Sequence, residues 1–216
     1  MVESHGGTAL VIPTDVTDDD QVTALVDKTI AEWGRIDVVV ANAGQYIRGP
    51  AVAVSMDDLE RSLDINFLGT ARVILAALPH MVEQGSGHIA LMASVDGRKG
   101  LPLDAPYAAS KFAMVGFGDV LRQELRPHGV EVSTILFGRV ETPFVDGMAF
   151  PLMGKAMPVD RAAKATVKAI EHNRAEVILP HRAKPLVWLA NVSPRLTDLS
   201  LRILKLEGWY VEEGER

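Results

Sequence analysis

The chain has 216 residues, of which 48% are apolar and 23% are charged, and this length allows one domain with a substantial buried core. Its formal charge of −6 argues against nucleic acid as a partner, because a phosphate-binding surface needs clustered Lys and Arg. The sequence has no cysteine, which excludes a disulfide framework, a thiol nucleophile and a metal site with cysteine ligands.

Strand and helix signals alternate along the first half of the chain, and this alternation predicts a parallel sheet with helices on both faces. A short apolar strand is expected at 9–12. The helix that follows should begin at a capping box, 17–20, and end at Gly34. The apolar run Val38–Ala41 predicts a strand covered on both faces. A long helix should start at Ser55 and run to about residue 82, with Pro79 kinking it or lying near its end.

The second half continues the alternation. Strands are expected at 88–93, 130–136 and 176–179, and helices at 105–126 and 159–173, with a loop before the second helix. The chain has no internal repeat and no low-complexity linker. One domain covering residues 1–216 is therefore the simplest interpretation.

The tail at 183–206 predicts an amphipathic helix. Its apolar face consists of Leu196, Leu199, Ile203 and Leu206. Such a helix is suited to covering a pocket, joining two subunits or making peripheral contact with a membrane surface, and we favour subunit packing. No run reaches the ~18 to 20 apolar residues of a membrane span, and no signal peptide is found, so we expect a cytoplasmic protein.

Tyr107 and Lys111 form a Tyr-x-x-x-Lys step in the predicted helix 105–126. Residues at i and i+4 share a helix face, so the lysine ammonium should lie near the phenol and favour its ionised form. A phenol with a pKa of about 10 needs such help to act as an acid or base near neutral pH. Ser94 adds a hydroxyl donor for a carbonyl oxygen. Taken alone, the step is also compatible with a half-buried aromatic beside a solvated charge.

Five motifs in register strengthen the functional interpretation. They are Asn42-Ala43-Gly44 after an apolar run, Asp64-Ile65-Asn66 in a helix, the strand 89–94 that ends in Ser94, Tyr107 with Lys111, and Gly138-Arg139-Val140-Glu141-Thr142-Pro143. From about residue 8 to residue 180 the chain resembles the short-chain dehydrogenase/reductase family. One departure is Phe137, which stands where the family usually has Pro.

The resemblance implies an α/β fold, a Rossmann-like doubly wound parallel sheet, and an NAD(P)-dependent oxidoreductase that interconverts an alcohol and a ketone or aldehyde. It implies catalytic roles for Asn66, Ser94, Tyr107 and Lys111, with Tyr107 as the acid/base and Asn66 holding a water that links Lys111 to solvent. The residues implied in cofactor binding are Asp15, Val16, Asn42, Ala43, Gly44, Tyr107, Lys111, Gly138, Val140 and Thr142. Asp15 is equally well explained as a helix-entry acid. The family's habit also implies a homodimer or homotetramer.

The sequence has no match to the family's Gly-rich phosphate turn, which should follow the first strand. Aligned by motif, residue 1 falls near the end of the family's second helix. We therefore expect an N-terminally truncated sheet that lacks its first two strands, with Met1 an internal methionine of a longer protein. Strands 9–12 and Val38–Ala41 then either pair in a non-family way or leave a sheet edge open.

This absence keeps a second function open, a non-catalytic remnant or binding protein of the same fold that cannot hold the dinucleotide. The choice between NAD and NADP is not encoded in this sequence, since the selecting residues follow the second strand.

Substrate specificity should lie in two loops, 96–106 and 141–158. The second loop is rich in apolar side chains that adapt their shape, namely Phe144, Met148, Phe150, Leu152, Met153 and Met157. They favour a bulky lipophilic carbonyl substrate over a sugar, although they can equally serve to pack a lid. His80 and Glu83 have a metal-like spacing without a third ligand, so a solvated helix face is the better explanation and no metal is expected.

Overall fold

The computed structural model describes residues 2–145, 148–149, 155–204 and 209–210, and its centre is a four-stranded parallel sheet. The strands are β1 Val38–Ala41, β2 Gly87–Ser94, β3 Val130–Phe137 and β5 Glu176–Leu179, in the spatial order β1-β2-β3-β5. Two short strands, β4 Met148–Ala149 and β6 Trp209–Tyr210, pair antiparallel beside it. The predicted α/β class with a parallel sheet is confirmed.

Seven α-helices lie within the described residues. They are α1 Asp19–Trp33, α2 Met56–Leu63, α3 Gly69–Gln84, α4 Ala105–Leu125, α5 Val159–Glu171, α6 Lys184–Val192 and α7 Pro194–Leu204. Helices α2 and α3 are joined by a π-helical turn, Asp64–Leu68. Short 3₁₀ segments lie at Glu3–His5, Val95–Gly97, Arg126–His128, Pro143–Val145 and His181–Ala183.

The core divides between the two faces of the sheet because side chains alternate along each strand. Ile89 and Leu91 of β2 are fully buried against α1, α3 and α4, in the largest apolar cluster. Ala90 of the same strand points to the other face, where it packs with Ile135 and with Ala169 of α5. Helices therefore cover both faces of the central strands.

The start of α1 differs in detail from the predicted capping box. The cap is Asp18, whose carboxylate accepts the Gln21 backbone N–H, whereas the Thr17 hydroxyl donates to Asp15. An aspartate is as good a hydrogen-bond acceptor as a threonine at the N-cap, and its negative charge also interacts favourably with the helix N-terminus. The end of α1 at Gly34 is as predicted, with a left-handed φ of 72°.

The predicted strand at 9–12 is wrong, because these residues pair with no strand in the described part of the chain. Val11 is 84% exposed. The prediction that β1 is covered on both faces is also wrong. Val38 and Val40 are 43% and 47% exposed, since α5 covers β2, β3 and β5 and does not extend over β1. Among the described strands, β1 is an edge strand of the sheet, so the alternative of an open edge is the one observed.

The continuous helical run Met56–Gln84 begins at the predicted cap, where Ser55 and Asp58 form a capping box. Pro79 lies inside α3, near its end. In the described residues this run alone is long and apolar enough to cross a bilayer by length and composition, a test that core helices also pass. Its residues Ile74 and Met81 are fully buried in the main core.

The C-terminal tail forms two helices rather than one. Ser193 has an extended backbone and Pro194 cannot donate a helical hydrogen bond, so α6 ends and α7 begins there. The predicted apolar face is present on α7, but Leu196, Leu199 and Ile203 are 55%, 51% and 69% exposed. Thr197 and Leu201 are the residues that α7 buries. Leu206 lies outside the described residues.

Candidate active site

A cleft of about 1060 Å³ opens at the carboxyl ends of the parallel strands. The residues that follow β1, β2 and β3 line it, and α6 and α7 contribute its outer wall. Ligands of open α/β sheets bind at this end of the strands, because the loops there converge on one crevice. The cleft is therefore the candidate active site.

Three of the four predicted catalytic residues line this cleft. Ser94 is the last residue of β2, and Tyr107 and Lys111 lie on the first turns of α4. Helix α4 reaches this position because the 3₁₀ turn Val95–Gly97 packs directly on it. A Cβ at Gly97 would come within 2.6 Å of the Lys111 carbonyl oxygen, so only glycine permits the approach.

The Tyr107 side chain is buried, and the Ser94 side chain is close enough to influence its pKa. Tyr46 packs edge-on against the ring at 4.7 Å between centroids. Burial, together with the negative charge of Asp96, raises the pKa of Tyr107 above its usual value. This direction is opposite to the predicted lowering, because burial and the Asp96 charge outweigh the influence of Ser94.

Lys111 is 4% exposed and lies over the Tyr107 ring, with Nζ 5.5 Å from the ring centroid. Its ammonium donates to the Met92 carbonyl at 3.0 Å and contacts Met114 Sδ at 3.3 Å. Burial lowers the pKa of Lys111 to about 8, while Asp96 opposes that shift. The side chain is thus held under the phenol by the end of β2.

Asn66 lies behind the cleft and has no exposed surface. It sits in the π-helical turn, a feature frequent at functional sites. Its Oδ1 accepts the Gln45 N–H at 2.7 Å, and its Nδ2 donates to the Gln45 carbonyl at 2.9 Å and to Ser110 Oγ at 3.1 Å. Asn66 therefore fastens the loop after β1 to α4. Its role in holding a water stays a prediction.

Most of the predicted cofactor-binding residues surround the cleft. Those that line it are Asn42, Ala43, Gly44, Tyr107, Lys111, Gly138, Val140 and Thr142. Asp15 and Val16 do not line it. The Asp15 carboxylate accepts the Thr17 N–H and hydroxyl at the entry to α1, and both bonds lower its pKa. This geometry matches the alternative explanation of Asp15 as a helix-entry acid.

The second specificity loop is described only in part. Phe144 stacks on Tyr46 at 5.6 Å and meets the Tyr107 ring at 6.0 Å, so it roofs the reacting phenol. Met157 is buried against Ala162 and Leu179 and packs the loop rather than the cleft. Phe150, Leu152 and Met153 lie outside the described residues, and of Met148 only the backbone is described.

A group of buried polar residues beside Ser94 was not predicted. Asp96 is 9% exposed, lines the cleft and accepts the Ser94 hydroxyl at 3.0 Å. Arg139, in the turn after β3, lines the same wall and attracts Asp96 electrostatically. The signal for both was present in the sequence, since each follows the end of a strand within two residues.

Arg48 and Asp104 form an ion pair at 2.9 Å with both side chains fully buried. Burial raises the pKa of Asp104 and outweighs the attraction of the Arg48 guanidinium. Leu103 adopts a left-handed φ of 74°, unusual for a branched residue, and its carbonyl accepts the Gly49 N–H at 2.8 Å. Neither partner lies in a recognisable motif, so sequence alone gave no signal for this pair.

In the part of the chain that the structure describes, no three His, Cys, Asp or Glu side chains are grouped as metal ligands. Chemically, the cleft offers a phenol, a hydroxyl and a buried amine around one space. These groups can bind a carbonyl oxygen and exchange a proton with it.

The chain is similar in sequence and fold to known proteins. The profile of the short chain dehydrogenase family matches residues 1–149. The ketoacyl reductase HetN of Nostoc sp. is 32% identical over 91% of this chain and 72% of its own length. 17-beta-hydroxysteroid dehydrogenase type 1 of Homo sapiens is 39% identical over 65% of this chain and 42% of its own length. A gluconate 5-dehydrogenase from Burkholderia cenocepacia, solved with NADP and tartrate, matches with a TM-score of 0.74 at 25% identity, over 82% of this chain and 76% of that one.

Proposed function

Because this chain belongs to the short-chain dehydrogenase/reductase family, we propose that it is an NAD(P)-dependent oxidoreductase that interconverts an alcohol and a ketone or aldehyde. The observation that carries the proposal is the convergence of Ser94, Tyr107 and Lys111 on one cleft. The two relatives are a reductase and a dehydrogenase by name, which supports the reaction class.

Each side chain has a distinct task in this chemistry. Tyr107 passes its phenolic proton to the substrate oxygen in reduction and takes it back in oxidation. Ser94 donates a hydrogen bond to the same oxygen and holds it beside Tyr107. Lys111 adds positive charge under the phenol, which favours the phenolate that forms when the proton leaves. The nicotinamide cofactor, when bound, supplies or accepts the hydride.

The residues of the cleft fit the nicotinamide half of such a cofactor. An ammonium has three N–H donors, and Lys111 uses one on a carbonyl and one on a weakly accepting sulfur, which leaves donor capacity for a ribose hydroxyl. Asn42, Ala43 and Gly44 line the cleft directly after β1. Val140 and Thr142 line the wall where a carboxamide would lie. Asn66 supports this arrangement by positioning the loop after β1.

We further propose a lipophilic substrate. Beyond the reacting groups, the cleft lining includes Leu101, Phe144, Leu186, Leu189 and Leu204, together with the charged Arg139, Lys155 and Arg182. The apolar part of this lining favours desolvated rings or chains over a sugar. The relative that acts on a hydroxysteroid by name supports the same preference.

The domain organisation, cellular location and oligomeric state belong to the same proposal. The described elements are taken as one domain with a helical tail, working in the cytoplasm. The exposed leucine face of α7 is taken as the contact in a homodimer or homotetramer, consistent with the family's habit.

The test is a titration of the purified chain with NADH and with NADPH, followed by nicotinamide fluorescence, and then turnover of a panel of ketones. Saturable binding, turnover of lipophilic ketones and a loss of about 100-fold or more in Tyr107→Phe would support the proposal. The tighter-binding nucleotide would identify the cofactor.

Failure to bind either nucleotide would overturn the proposal for this chain. It would favour the second candidate, a binding protein of the same fold without dinucleotide chemistry. The specific observation behind that candidate is the missing Gly-rich phosphate turn in the sequence.

A further inference from the structure

The single proton of the Ser94 hydroxyl is already committed in this structure. Ser94 Oγ donates it to Asp96 Oδ2 at 3.0 Å. The oxygen of the same hydroxyl accepts the Asp96 backbone N–H at 3.1 Å. A hydroxyl has one donor, so Ser94 in this arrangement has no proton left for a substrate.

This arrangement conflicts with the task that the proposed function gives to Ser94. A carbonyl oxygen only accepts hydrogen bonds, so Ser94 must turn its proton into the cleft to hold a ketone. It can do so only if Asp96 stops accepting that proton. A protonated Asp96 does more, because its own O–H can then donate to Ser94 Oγ and replace the lost bond.

The surroundings of Asp96 favour such a change. The carboxyl is 9% exposed, and its Oδ1 has no hydrogen-bond partner of good geometry among the described residues. The Asp104 carboxylate, from the loop before α4, repels its charge. Arg139 from the turn after β3 and the backbone amide of Leu101 favour the charged form.

The other charged and titratable groups of the site act less directly. On α4, the charge of Asp96 attracts the Lys111 ammonium and disfavours ionisation of the Tyr107 phenol. In the loop after β1, the charge of Asp96 disfavours ionisation of the Tyr46 phenol, and Arg48 pairs with Asp104. Burial and Asp104 outweigh the favourable partners and raise the pKa of Asp96 to about 7.

We propose that Asp96 is a positioning residue that sets the direction of the Ser94 hydroxyl. As a carboxylate it holds the Ser94 proton. As a carboxylic acid, with a proton taken from solvent, it donates to Ser94 Oγ and frees the Ser94 hydroxyl to donate to a carbonyl oxygen. This inference rests on the proposed function for its catalytic consequence, whereas the coupling between the two side chains belongs to the chain itself.

Two substitutions separate the two forms. The amide of Asp96→Asn is a permanent donor of nearly the same shape, so it mimics the acid form at every pH. Asp96→Ala removes the donor and the acceptor together. Asp57→Asn, on the exposed first turn of α2, is the matched control for loss of one carboxylate.

The activity experiment measures kcat/KM for ketone reduction from pH 5.5 to pH 9. The wild type and Asp57→Asn should lose about tenfold per pH unit once Asp96 ionises above about pH 7. Asp96→Asn should lack that step. Asp96→Ala should also lack it, but with a lower kcat/KM at every pH because no side chain then donates to Ser94 Oγ. The ionisation of Lys111 can also change kcat/KM in this pH range, so the same variants are measured in the Ser94→Ala background. There, Asp96→Asn should no longer remove a loss of kcat/KM above about pH 7. An equal effect in both backgrounds would overturn the proposal.

The second readout needs no activity. In the chain with ¹³C-labelled aspartate carboxyls, the signal missing from Asp96→Asn is assigned to Asp96 and followed against pH. A midpoint near 7, moved upward in Ser94→Ala because the serine bond favours the carboxylate, would support the coupling. A midpoint below about 5, or one unmoved by Ser94→Ala, would overturn it. Absence of turnover together with a moved midpoint near 7 would refute the proposed function and leave the coupling standing.

Discussion

Lys111 is a buried amine, and although the proposed chemistry needs its charge, that charge lowers the stability of the folded protein. Burial lowers its pKa to about 8, from an ordinary value of 10.5. Below about pH 8 the folded protein must carry a buried charge that the unfolded chain carries in water. The free energy of unfolding is therefore reduced there by up to about 3 kcal/mol, and it recovers as pH rises from 8 to 10.5.

Lys111→Met should make the protein more stable at pH 7 and inactive. Met keeps the length of the side chain and removes the buried charge, so we expect a gain of about 1 to 3 kcal/mol at pH 7 that shrinks towards pH 10. Urea unfolding of both proteins at the two pH values measures it. Lys28→Met on the exposed side of α1 is the control and should change little. A loss of stability in Lys111→Met at pH 7 would show that the amine is held by stronger partners than Met92 and Met114.

The ionisation of Asp96 changes stability with pH in the opposite direction to that of Lys111. The folded protein keeps its proton up to about pH 7, whereas an unfolded aspartate loses it near pH 3.8. Stability is therefore lost as pH rises through this window, by up to about 4 kcal/mol at pH 8. Asp96→Asn should unfold at higher urea concentration than the wild type at pH 8, and the two should converge near pH 4. Equal midpoints at pH 8 would mean that Arg139 compensates the buried charge in full.

The sequence predicts the reacting residues but not their environment. Tyr107, Lys111 and Ser94 lie in a spacing that helix and strand geometry brings together, and the structure does so. The pKa of Tyr107 was predicted in the wrong direction, because the sequence does not show how deeply α4 buries the ring or that Asp96 lies beside it. Burial and through-space charges are properties of the packed protein.

Two loops are joined by a buried ion pair. Arg48 belongs to the loop after β1 and Asp104 to the loop before α4, and their side chains are fully buried at 2.9 Å. Removing one partner of such a pair leaves an uncompensated buried charge, which costs about 3 to 5 kcal/mol, whereas an apolar pair can replace both. The pair thus fixes the loop that carries Tyr46 over Tyr107.

A double-mutant cycle tests this connection. Arg48→Met and Asp104→Leu should each lower the free energy of unfolding by about 3 to 5 kcal/mol, and the double variant should lose much less than their sum. Arg35→Met, which removes an exposed pair with Asp37, is the control and should have little effect. Additive losses would mean that the two side chains contribute separately, through packing rather than through their charges.

Elements with local signals were predicted well. The capping box at Ser55, the stop at Gly34 and β5 Glu176–Leu179 lie where expected, because caps and buried apolar runs depend on nearby residues. The strand at 9–12 failed because a strand exists only with a hydrogen-bonded neighbour, and no described strand lies beside it. One helix was predicted over 183–206 because the leucine spacing is helical, although Pro194 is a residue that interrupts helices and the structure has two helices there.

Two apolar surfaces remain exposed on the described part of the molecule. One is the α7 face, Leu196, Leu199 and Ile203, and the other is the outer side of α4, with Phe112 47% and Val120 49% exposed. Surfaces of this kind mark protein contacts when their side chains are contiguous. A homodimer through α7 would also brace the cleft, since Ser200 and Leu204 of the same helix line its outer wall.

We predict that Leu199→Glu converts the proposed homo-oligomer to a monomer, because a symmetric interface places each residue near its own copy or close neighbours and the new carboxylates would be desolvated in pairs. Light scattering behind a sizing column measures the mass across a dilution series. Phe112→Glu is the matched variant on the other surface and should leave the mass unchanged. A monomer from Phe112→Glu and an intact oligomer from Leu199→Glu would assign the contact to α4. In that case the cleft wall formed by α6 and α7 must hold its shape without a partner, and KM for a lipophilic ketone should not depend on protein concentration.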